Sequence, residues 1–206
     1  MSSLPVLVYG AGGHGRVVAE VVQSTGVTVE GFVDDGVSVG ARVLGLPVLG
    51  NSEWLAGQPA RLVALAVGEN RRRETIADAL TRQGHTLGTF VHQTAWVSPT
   101  AALGAGTVVM ANAVVNAEAR VGRGVILNTG CIVEHECVVG DFAHVSPGAA
   151  LGGQARIGAR AHVGIGAAVL HLASVGEDCI VGGGALVLKH VEAGTTVVGV
   201  PARRLR

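Results

Sequence analysis

The chain has 206 residues with 15 basic and 15 acidic side chains, so its zero formal net charge gives no support for a nucleic-acid or membrane-surface partner. Only 3% of the residues are aromatic whereas 49% are hydrophobic, which argues against disorder and predicts a core of small and branched aliphatic side chains. No apolar stretch approaches ~20 residues and the N-terminus has no basic region, so neither a transmembrane helix nor a signal peptide is expected.

Residues 1–90 have the composition of a small parallel α/β domain, because strand-like and helix-like segments alternate. The first strand is followed by a glycine-rich turn and a helix, and a second strand ends at Asp34 and Asp35. A further strand precedes a helix that Gly84 closes. The segments are LPVLVY, GAGGHG with RVVAEVVQ, VTVEGFVDD, RLVALAVGEN and RRRETIADALTRQG.

The turn after the first strand has the pattern G-x-G-x-x-G. Its residues are Gly10, Ala11, Gly12, Gly13, His14 and Gly15. Such glycines let a phosphate approach the backbone N–H groups at a helix N-terminus, and an acidic residue, Asp34, follows 19 residues after Gly15. A nucleotide-linked substrate suits a domain of this size better than a dinucleotide. A tight strand-to-helix turn without any ligand remains the alternative.

Residues 91–206 repeat with a period of six. Sixteen successive positions from Val97 to Val187 are aliphatic, the position four residues after each is nearly always small, and the position directly after is often glycine. A helix has a period of 3.6 residues and an ordinary strand a period of two, so neither explains the pattern. Six residues for each short strand and corner predict a triangular β-helix of about five coils, in which the aliphatic side chain points inward and the glycine permits the bend.

A coil of 18 residues predicts which side chains lie above one another. His144 stacks on His162, and His135 shares a column with His171 two coils away. Cys131, Cys137 and Cys179 fall on three columns at inward positions, so they cannot pair with one another. With no CxxC motif, they are expected to be buried thiols in a reducing cytoplasm.

The chain resembles the PglD/NeuD/PerB family of sugar and nucleotide-sugar O- and N-acetyltransferases of bacterial glycan synthesis. The resemblance covers essentially the whole chain. It rests on the GAGGHG turn, the Asp34-Asp35 pair, the GEN stretch at Gly68, the uninterrupted hexads, the segment NTGCIVEHECVVGDFAHVSPG from Asn128, and the GVPAR ending. It implies a left-handed β-helix, acetyl-CoA as co-substrate, and a homotrimer with active sites between subunits.

Acetyl transfer needs a base that removes the proton of the acceptor, and histidine is suited to it. The resemblance identifies His135 as the general base and Glu136 as the carboxylate that supports it. A solvated surface histidine between two acids is the other interpretation of these residues. Because Cys131 and Cys137 take inward positions, direct transfer is favoured over an acyl-cysteine intermediate.

The resemblance also implies the binding residues. His144 would contact the thioester region of acetyl-CoA, and Ile165 and Gly183 the pantetheine arm. The acceptor's phosphates would lie at Gly12, Gly13 and His14, and its base or ribose near Asp34, Asp35 and Gly68. Lys189, Arg203 and Arg204 could equally meet CoA phosphates or form a solvated tail.

Three other functions are weighed against N-acetylation of a nucleotide-linked 4-amino sugar. The same base would serve O-acetylation of a sugar such as sialic acid, and no residue separates the two. A zinc enzyme like the γ-type carbonic anhydrases needs no nucleotide-binding domain, and no metal is expected here. A nicotinamide-dependent oxidoreductase would rest on the glycine motif alone.

Overall fold

The computed structural model describes residues 5–205, which form an α/β domain followed by a parallel β-helix. The elements of the α/β domain are β1 (Val6–Tyr9), α1 (Gly13–Ser24), β2 (Val29–Val33), β3 (Arg42–Val43), β4 (Leu46–Gly50), α2 (Ser52–Ala56), β5 (Leu62–Leu65), α3 (Asn70–Arg82) and β6 (Thr86–Leu87). The predicted alternation of strands and helices is confirmed. The β3–β4 hairpin and α2 were not predicted.

The six strands of this domain form one sheet in the order β3-β4-β2-β1-β5-β6. All pairs are parallel except β3 with β4. β1 is central and completely buried because both of its faces are covered, which explains its unbroken apolar sequence. The glycine motif follows β1 directly, so the N-terminus of α1 lies at the carboxyl edge of the sheet, where ligands bind in open α/β sheets.

The β-helix is built from two-residue strands that recur every six residues from Phe90 to Val187, and two further strands follow outside this spacing. They are β7 (Phe90–Val91), β8 (Trp96–Val97), β9 (Ala102–Leu103), β10 (Val108–Val109), β11 (Val114–Val115), β12 (Arg120–Val121), β13 (Ile126–Leu127), β14 (Ile132–Val133), β15 (Val138–Val139), β16 (His144–Val145), β17 (Ala150–Leu151), β18 (Arg156–Ile157), β19 (His162–Val163), β20 (Ala168–Val169), β21 (Ser174–Val175), β22 (Ile180–Val181), β23 (Leu186–Val187), β24 (Thr196–Val198) and β25 (Arg203–Arg204).

These strands form three faces. The first face contains β7, β10, β13, β16, β19, β22, β24 and β25; the second contains β8, β11, β14, β17, β20 and β23; the third contains β9, β12, β15, β18 and β21. The first corner joins the first and second faces, as at residues 128–131. The second corner joins the second and third faces, as at 134–137, and the third corner returns to the first face, as at 140–143.

The interior of the β-helix confirms the predicted packing. The aliphatic side chain of each hexad and the small side chain four residues later form one continuous core. All three cysteines are buried in it with free thiols. The regular 18-residue register ends after Val187, because Val191 pairs with Val175 and Val197 with Val181 at a spacing of 16 residues.

The glycine that follows the aliphatic position does not make the bend, contrary to the prediction. The left-handed residue lies two positions later, at every sixth residue from Gly106 to Gly184, and several of these residues are not glycine. The predicted glycines are required for the close approach of successive coils instead. At Gly104, for example, a Cβ would lie 2.5 Å from the backbone N of Arg123 in the next coil.

The α/β domain packs on the first face of the β-helix. Val18, Val21 and Val22 of α1 belong to one buried cluster with Phe90, Val108 and Ile126 of that face, so α1 lies between the sheet and the β-helix. Phe142 of the third corner enters the other core of the α/β domain, beneath α3. Between residues 5 and 205 no helix is both long and apolar enough to cross a bilayer.

Candidate active site

Three histidines meet where the α/β domain covers the first face. His144 and His162 occupy equivalent positions in adjacent coils, and their ring centroids are 4.7 Å apart. The ring of His14, in the first turn of α1, lies 6.4 Å from that of His144. The stacking of His144 on His162 was predicted from the period, whereas the approach of His14 depends on domain packing and was not.

The tautomer of His144 follows from its neighbours. The side-chain oxygen of Asn128 accepts a hydrogen bond from the backbone N–H of Thr129, so its amide nitrogen faces His144 Nε2 at 3.0 Å. An amide nitrogen only donates, so Nε2 accepts and Nδ1 carries the proton of the neutral ring. His144 Nδ1 and His14 Nε2 are buried and have no hydrogen-bond partner in the described part of the chain. Both atoms are closed off from solvent in this arrangement.

All three imidazoles are held neutral at physiological pH. Burial, with a smaller contribution from the charge of Arg73, lowers the pKa of His14 to about 4. Burial lowers the pKa of His144 to about 3, assisted by repulsion from His162, Arg73 and His14. Burial and Arg73 also lower the pKa of His162, whose Nε2 lies 2.9 Å from the hydroxyl of Ser146. These rings can exchange hydrogen bonds with a ligand but do not offer it positive charge.

A cavity of about 400 Å³ opens beside the histidines. Its wall includes Gly68 and Asn70 of the α/β domain and His162 and Ile180 of the first face. Of the three histidines only His162 lines this cavity, and His14 and His144 lie close to it through the ring contacts described above. Asn70, Asn128 and Ser146 lie in the stretches that carry the family resemblance, but the sequence alone assigned them no role.

The predicted base and its carboxylate lie elsewhere, at the second corner. His135 and Glu136 are both exposed, and His135 Nδ1 lies 3.1 Å from Glu136 Oε2. Gln154, one coil further, donates to the same oxygen at 3.0 Å. The hydrogen bonds from Gln154 and His135 hold the pKa of Glu136 below its ordinary value. The pair therefore has the geometry of a carboxylate that orients an imidazole.

The predicted contacts of the pantetheine arm lie at the first corner. Ile165 and Gly183 are equivalent residues of adjacent coils, and both are exposed. The backbone N–H of Gly184 donates to the carbonyl of Ile165. The second face separates this corner from His135, so one subunit does not bring its own His135 to its own Ile165 and Gly183.

The acceptor residues of the glycine motif line the N-terminus of α1. Gly12 and Gly13 are exposed, and no heavy atom lies within 4 Å of where a Cβ would be at either. The space in front of the helix N-terminus, where unpaired N–H groups attract anions, is thus open. Asp34 accepts from the backbone N–H groups of Ala11, Gly36 and Val37, so its carboxylate holds two loops together.

Asp35 lies beside Asp34 but has different partners. It accepts from Tyr9 Oη at 3.0 Å and from the backbone N–H of Ser52 at 2.8 Å, and Arg72 lies 3.9 Å away. Burial and the nearby Asp35 carboxylate raise the pKa of Tyr9 to about 12. Among the residues from 5 to 205, no group of three or more His, Cys, Asp or Glu side chains has the arrangement of a metal site.

Comparison with known proteins supports the predicted family. Residues 5–80 match the PglD N-terminal domain. The structure of PerB from Caulobacter crescentus, in complex with CoA and GDP-perosamine, is 36% identical and has a TM-score of 0.94, with 99% of this chain and 100% of that chain covered. The chain belongs to the PglD/PerB family of sugar acetyltransferases.

Two further structures are similar over nearly the whole chain. The acetyltransferase domain of PglB from Neisseria gonorrhoeae, in complex with acetyl coenzyme A, is 39% identical with a TM-score of 0.93 and covers 98% of this chain and 100% of its own. WeeI from Acinetobacter baumannii is 30% identical with a TM-score of 0.86 and the same coverage. No curated protein sequence matches the chain. The predicted family and the predicted fold, an α/β domain followed by a left-handed β-helix, are confirmed, and acetyl transfer is favoured over the zinc and nicotinamide hypotheses.

Proposed function

We propose that the protein transfers the acetyl group of acetyl-CoA to the amino group of a nucleotide-linked 4-amino deoxysugar, with GDP or UDP as the nucleotide. The observation that carries this proposal is the likeness, over the whole length of both chains, to PerB in complex with CoA and GDP-perosamine. Free, buried thiols suit a reducing compartment, so we place the reaction in the cytoplasm.

His135 is the proposed general base. The Glu136 carboxylate only accepts hydrogen bonds, so Nδ1 of the neutral ring carries its proton and Nε2 keeps a free lone pair. The acceptor nitrogen attacks the thioester carbonyl carbon, and its proton passes to His135 Nε2. The tetrahedral intermediate then collapses, the C–S bond breaks, and the CoA sulfur leaves with a proton from the imidazolium. Histidine suits both proton transfers near neutral pH.

A covalent acetyl-cysteine is not part of this mechanism. The thiols of Cys131 and Cys137 point into the core of the β-helix, where a CoA thioester has no access. Burial raises the pKa of Cys131 to about 12 and also raises the pKa of Cys137. Because the thiolate is the nucleophilic form, neither cysteine is suited to attack a thioester.

We further propose that the active site is completed in a homotrimer. The second face carries an outward apolar column that the α/β domain leaves uncovered, and its residues are Trp96, Val114, Ile132, Ala150, Ala168 and Leu186. The equivalent column of the third face contains Arg120 and Arg156. Three copies that pack by their second faces would bring the second corner of one subunit, with His135, to the first corner of the next, with Ile165 and Gly183.

The acceptor is proposed to bind to the α/β domain. The open helix N-terminus at Gly12 and Gly13 suits the phosphates, and Gly68 contributes to the wall of the adjoining cavity. His14, being neutral, would offer a hydrogen bond rather than a charge. Asp34 would shape the binding loops through its backbone contacts, and Asp35 would lie near the base or ribose. His144 Nδ1–H, which has no hydrogen-bond partner among the described residues, is the proposed donor to the thioester region of acetyl-CoA.

The substitution His135→Ala tests this function. Transfer from acetyl-CoA to GDP- and UDP-linked 4-amino sugars is followed by the release of free CoA, and a loss of about 100-fold or more is expected because the general base is removed. His171→Ala, in the same column two coils away, is the matched control. Retention of most wild-type turnover by His135→Ala would exclude His135 as the base. If free CoA is released faster with hydroxy acceptors than with amino acceptors, the proposed activity would be O-acetylation and not N-acetylation.

A further inference from the structure

Arg73 is an arginine with no exposed surface at the junction of the two domains. Its guanidinium donates to the carbonyls of Val67 and Gly68 in the α/β domain at 3.0 Å each. It also donates across the junction to the carbonyls of Gly124 at 2.7 Å and Phe142 at 2.6 Å. Its partners are thus backbone carbonyls of both domains, and it forms no ion pair within residues 5–205.

Asn70, one turn earlier in α3, extends these contacts to the next coil. Its side-chain oxygen accepts from Arg73 Nη2 at 2.9 Å, and its amide nitrogen donates to the carbonyls of Arg160 at 2.8 Å and Ala161 at 3.3 Å. Gly124, Phe142 and Arg160 are equivalent left-handed residues of three successive coils at the third corner. Arg73 and Asn70 together therefore bind a ladder of corner carbonyls.

The ladder leads directly to the histidines of the candidate site. Phe142 and Ala143, whose carbonyls accept from Arg73, immediately precede His144. Ala161, whose carbonyl accepts from Asn70, immediately precedes His162. On the other side, the contact with Gly68 holds a loop that lines the cavity. The same two side chains therefore fix both walls of the region where the proposed acceptor and thioester meet.

We propose that Arg73 and Asn70 are positioning residues for acetyl transfer, because they hold the acceptor-binding domain in register with the strands of the β-helix that carry His144 and His162. This inference rests on the proposed function. A fully buried charge without a carboxylate partner is costly, so its retention requires good hydrogen bonds to all of its donors. Lysine has three donors on one nitrogen and cannot reproduce the planar arrangement that binds carbonyls of both domains.

The charge of Arg73 has a second effect on the same site. The positive guanidinium contributes to lowering the pKa of His14, His144 and His162. The charged group that in turn affects the pKa of Arg73 is Glu69, which raises it. The Glu69 carboxylate accepts from the backbone N–H groups of Arg71 and Arg72. Burial is the larger cause for each histidine, and the charge of Arg73 acts in the same direction. Arg73 itself stays charged, because burial lowers its pKa only to about 10.

Four variants of the full-length protein separate these effects. Arg73→Lys keeps the charge but loses the planar set of donors. Asn70→Ala keeps the charge of Arg73 and removes the contacts to Arg160 and Ala161, together with the acceptor of one Arg73 hydrogen bond. Arg73→Met removes both donors and charge, and Arg82→Met, at the exposed end of α3, is the control. Each variant is measured for its Tm, its kcat/KM toward the nucleotide-linked amino sugar, its Kd for CoA, and the imidazole pKa of His144 by NMR without ligands.

The expected result is a selective loss. Arg73→Lys and Asn70→Ala should stay folded and bind CoA as before, but lose about 10- to 100-fold in kcat/KM for the acceptor, because small misplacements of reacting groups are this costly. Arg73→Met should raise the pKa of His144 where Arg73→Lys does not. If the Arg73→Met variant fails to fold, the Arg73→Lys and Asn70→Ala variants still decide the positioning role.

Two outcomes would overturn the inference. Wild-type kcat/KM in both Arg73→Lys and Asn70→Ala with only a lower Tm would mean that the pair is structural. An equal loss of acceptor turnover in Arg82→Met would mean that the effect is not specific to the junction. Failure of the proposed function would be recognised separately, because the wild-type protein would then not acetylate the amino sugar, whereas the pKa of His144 is measured without turnover.

Discussion

The imidazole of His135 lies directly over Gly153, the equivalent residue of the next coil. A Cβ at position 153 would come within 2.5 Å of His135 Nε2 and 2.7 Å of Cε1. The proposed catalytic nitrogen thus occupies space that only glycine leaves free. The position of the proposed base therefore depends on the backbone of the next coil at Gly153.

Gly153→Ala should therefore displace the imidazole without unfolding the β-helix, because the backbone at Gly153 is not left-handed. A misplaced base is expected to lower kcat by about 100-fold. The measurement is steady-state acetyl transfer with the Tm as a check on folding. Gly57→Ala, where the added Cβ meets only an ordinary contact of 3.5 Å, is the control. Unchanged kcat in Gly153→Ala would show that the ring position seen here is unimportant for catalysis.

Glu136→Gln should lower kcat, because an amide in place of the carboxylate no longer holds the Nδ1–H of His135 with a charged acceptor and can instead donate toward the ring. A loss of at least about tenfold is expected. Glu134→Gln is a matched control, since the Glu134 carboxylate accepts from the backbone N–H of His135 and not from its ring. Equal losses in the two variants would assign the effect to the general loss of negative charge at this corner.

Cys131→Ala and Cys137→Ala should leave acetyl transfer intact. Alanine occupies the equivalent inward position in most other hexads, so each variant is expected to fold at a cost of about 1 kcal/mol. The measurement is kcat together with a search by mass spectrometry for acetylated cysteine during turnover. Loss of activity in either variant with an unchanged Tm, or a trapped acetyl-cysteine, would require a covalent route.

Acidification should destabilise the protein through its buried neutral histidines. Below the ordinary histidine pKa of 6.5 the unfolded chain binds protons, whereas folded His14 and His144 stay neutral down to about pH 4 and 3. The unfolded state then binds more protons, so the free energy of unfolding falls as the pH falls, by up to about 1.4 kcal/mol per pH unit for each histidine. Urea unfolding between neutral pH and about pH 4.5 measures this slope.

His144→Gln should flatten that slope, and His171→Gln, at an exposed position of the second corner, should not. A slope that is the same in the wild-type protein and in His144→Gln would mean that the ring of His144 is not buried in its neutral form. The comparison between variants is needed because carboxylates also contribute to acid destabilisation.

The repeat is the part of the molecule that the sequence predicts best. A period of six follows from the covalent geometry of the coil, so counting alone predicts that His144 stacks on His162 and that the cysteines lie inside. The corner conformation could not be predicted in the same way. Its left-handed position holds Glu136, Phe142 and Arg160 as well as glycine, so no residue type marks it.

Contacts between the domains were beyond prediction for a different reason. Arg71, Arg72 and Arg73 are consecutive in α3 and look alike in the sequence, yet only Arg73 is buried. Which face of α3 meets the third corner depends on how α1 packs on the first face, and no local pattern encodes it. The approach of His14 to His144 could not be predicted for the same reason, although His14 itself was a candidate from the glycine motif.

The most direct test of the central claim is complementation between two inactive variants. His135→Ala removes the proposed base at the second corner, and Gly183→Trp obstructs the proposed acetyl-CoA site at the first corner. Each variant alone should transfer no acetyl group, but co-expressed subunits should regain activity, because a mixed trimer contains a site with His135 from one subunit and an intact first corner from its neighbour. Mixed trimers that are verified by native mass spectrometry and remain inactive would contradict a site shared between subunits.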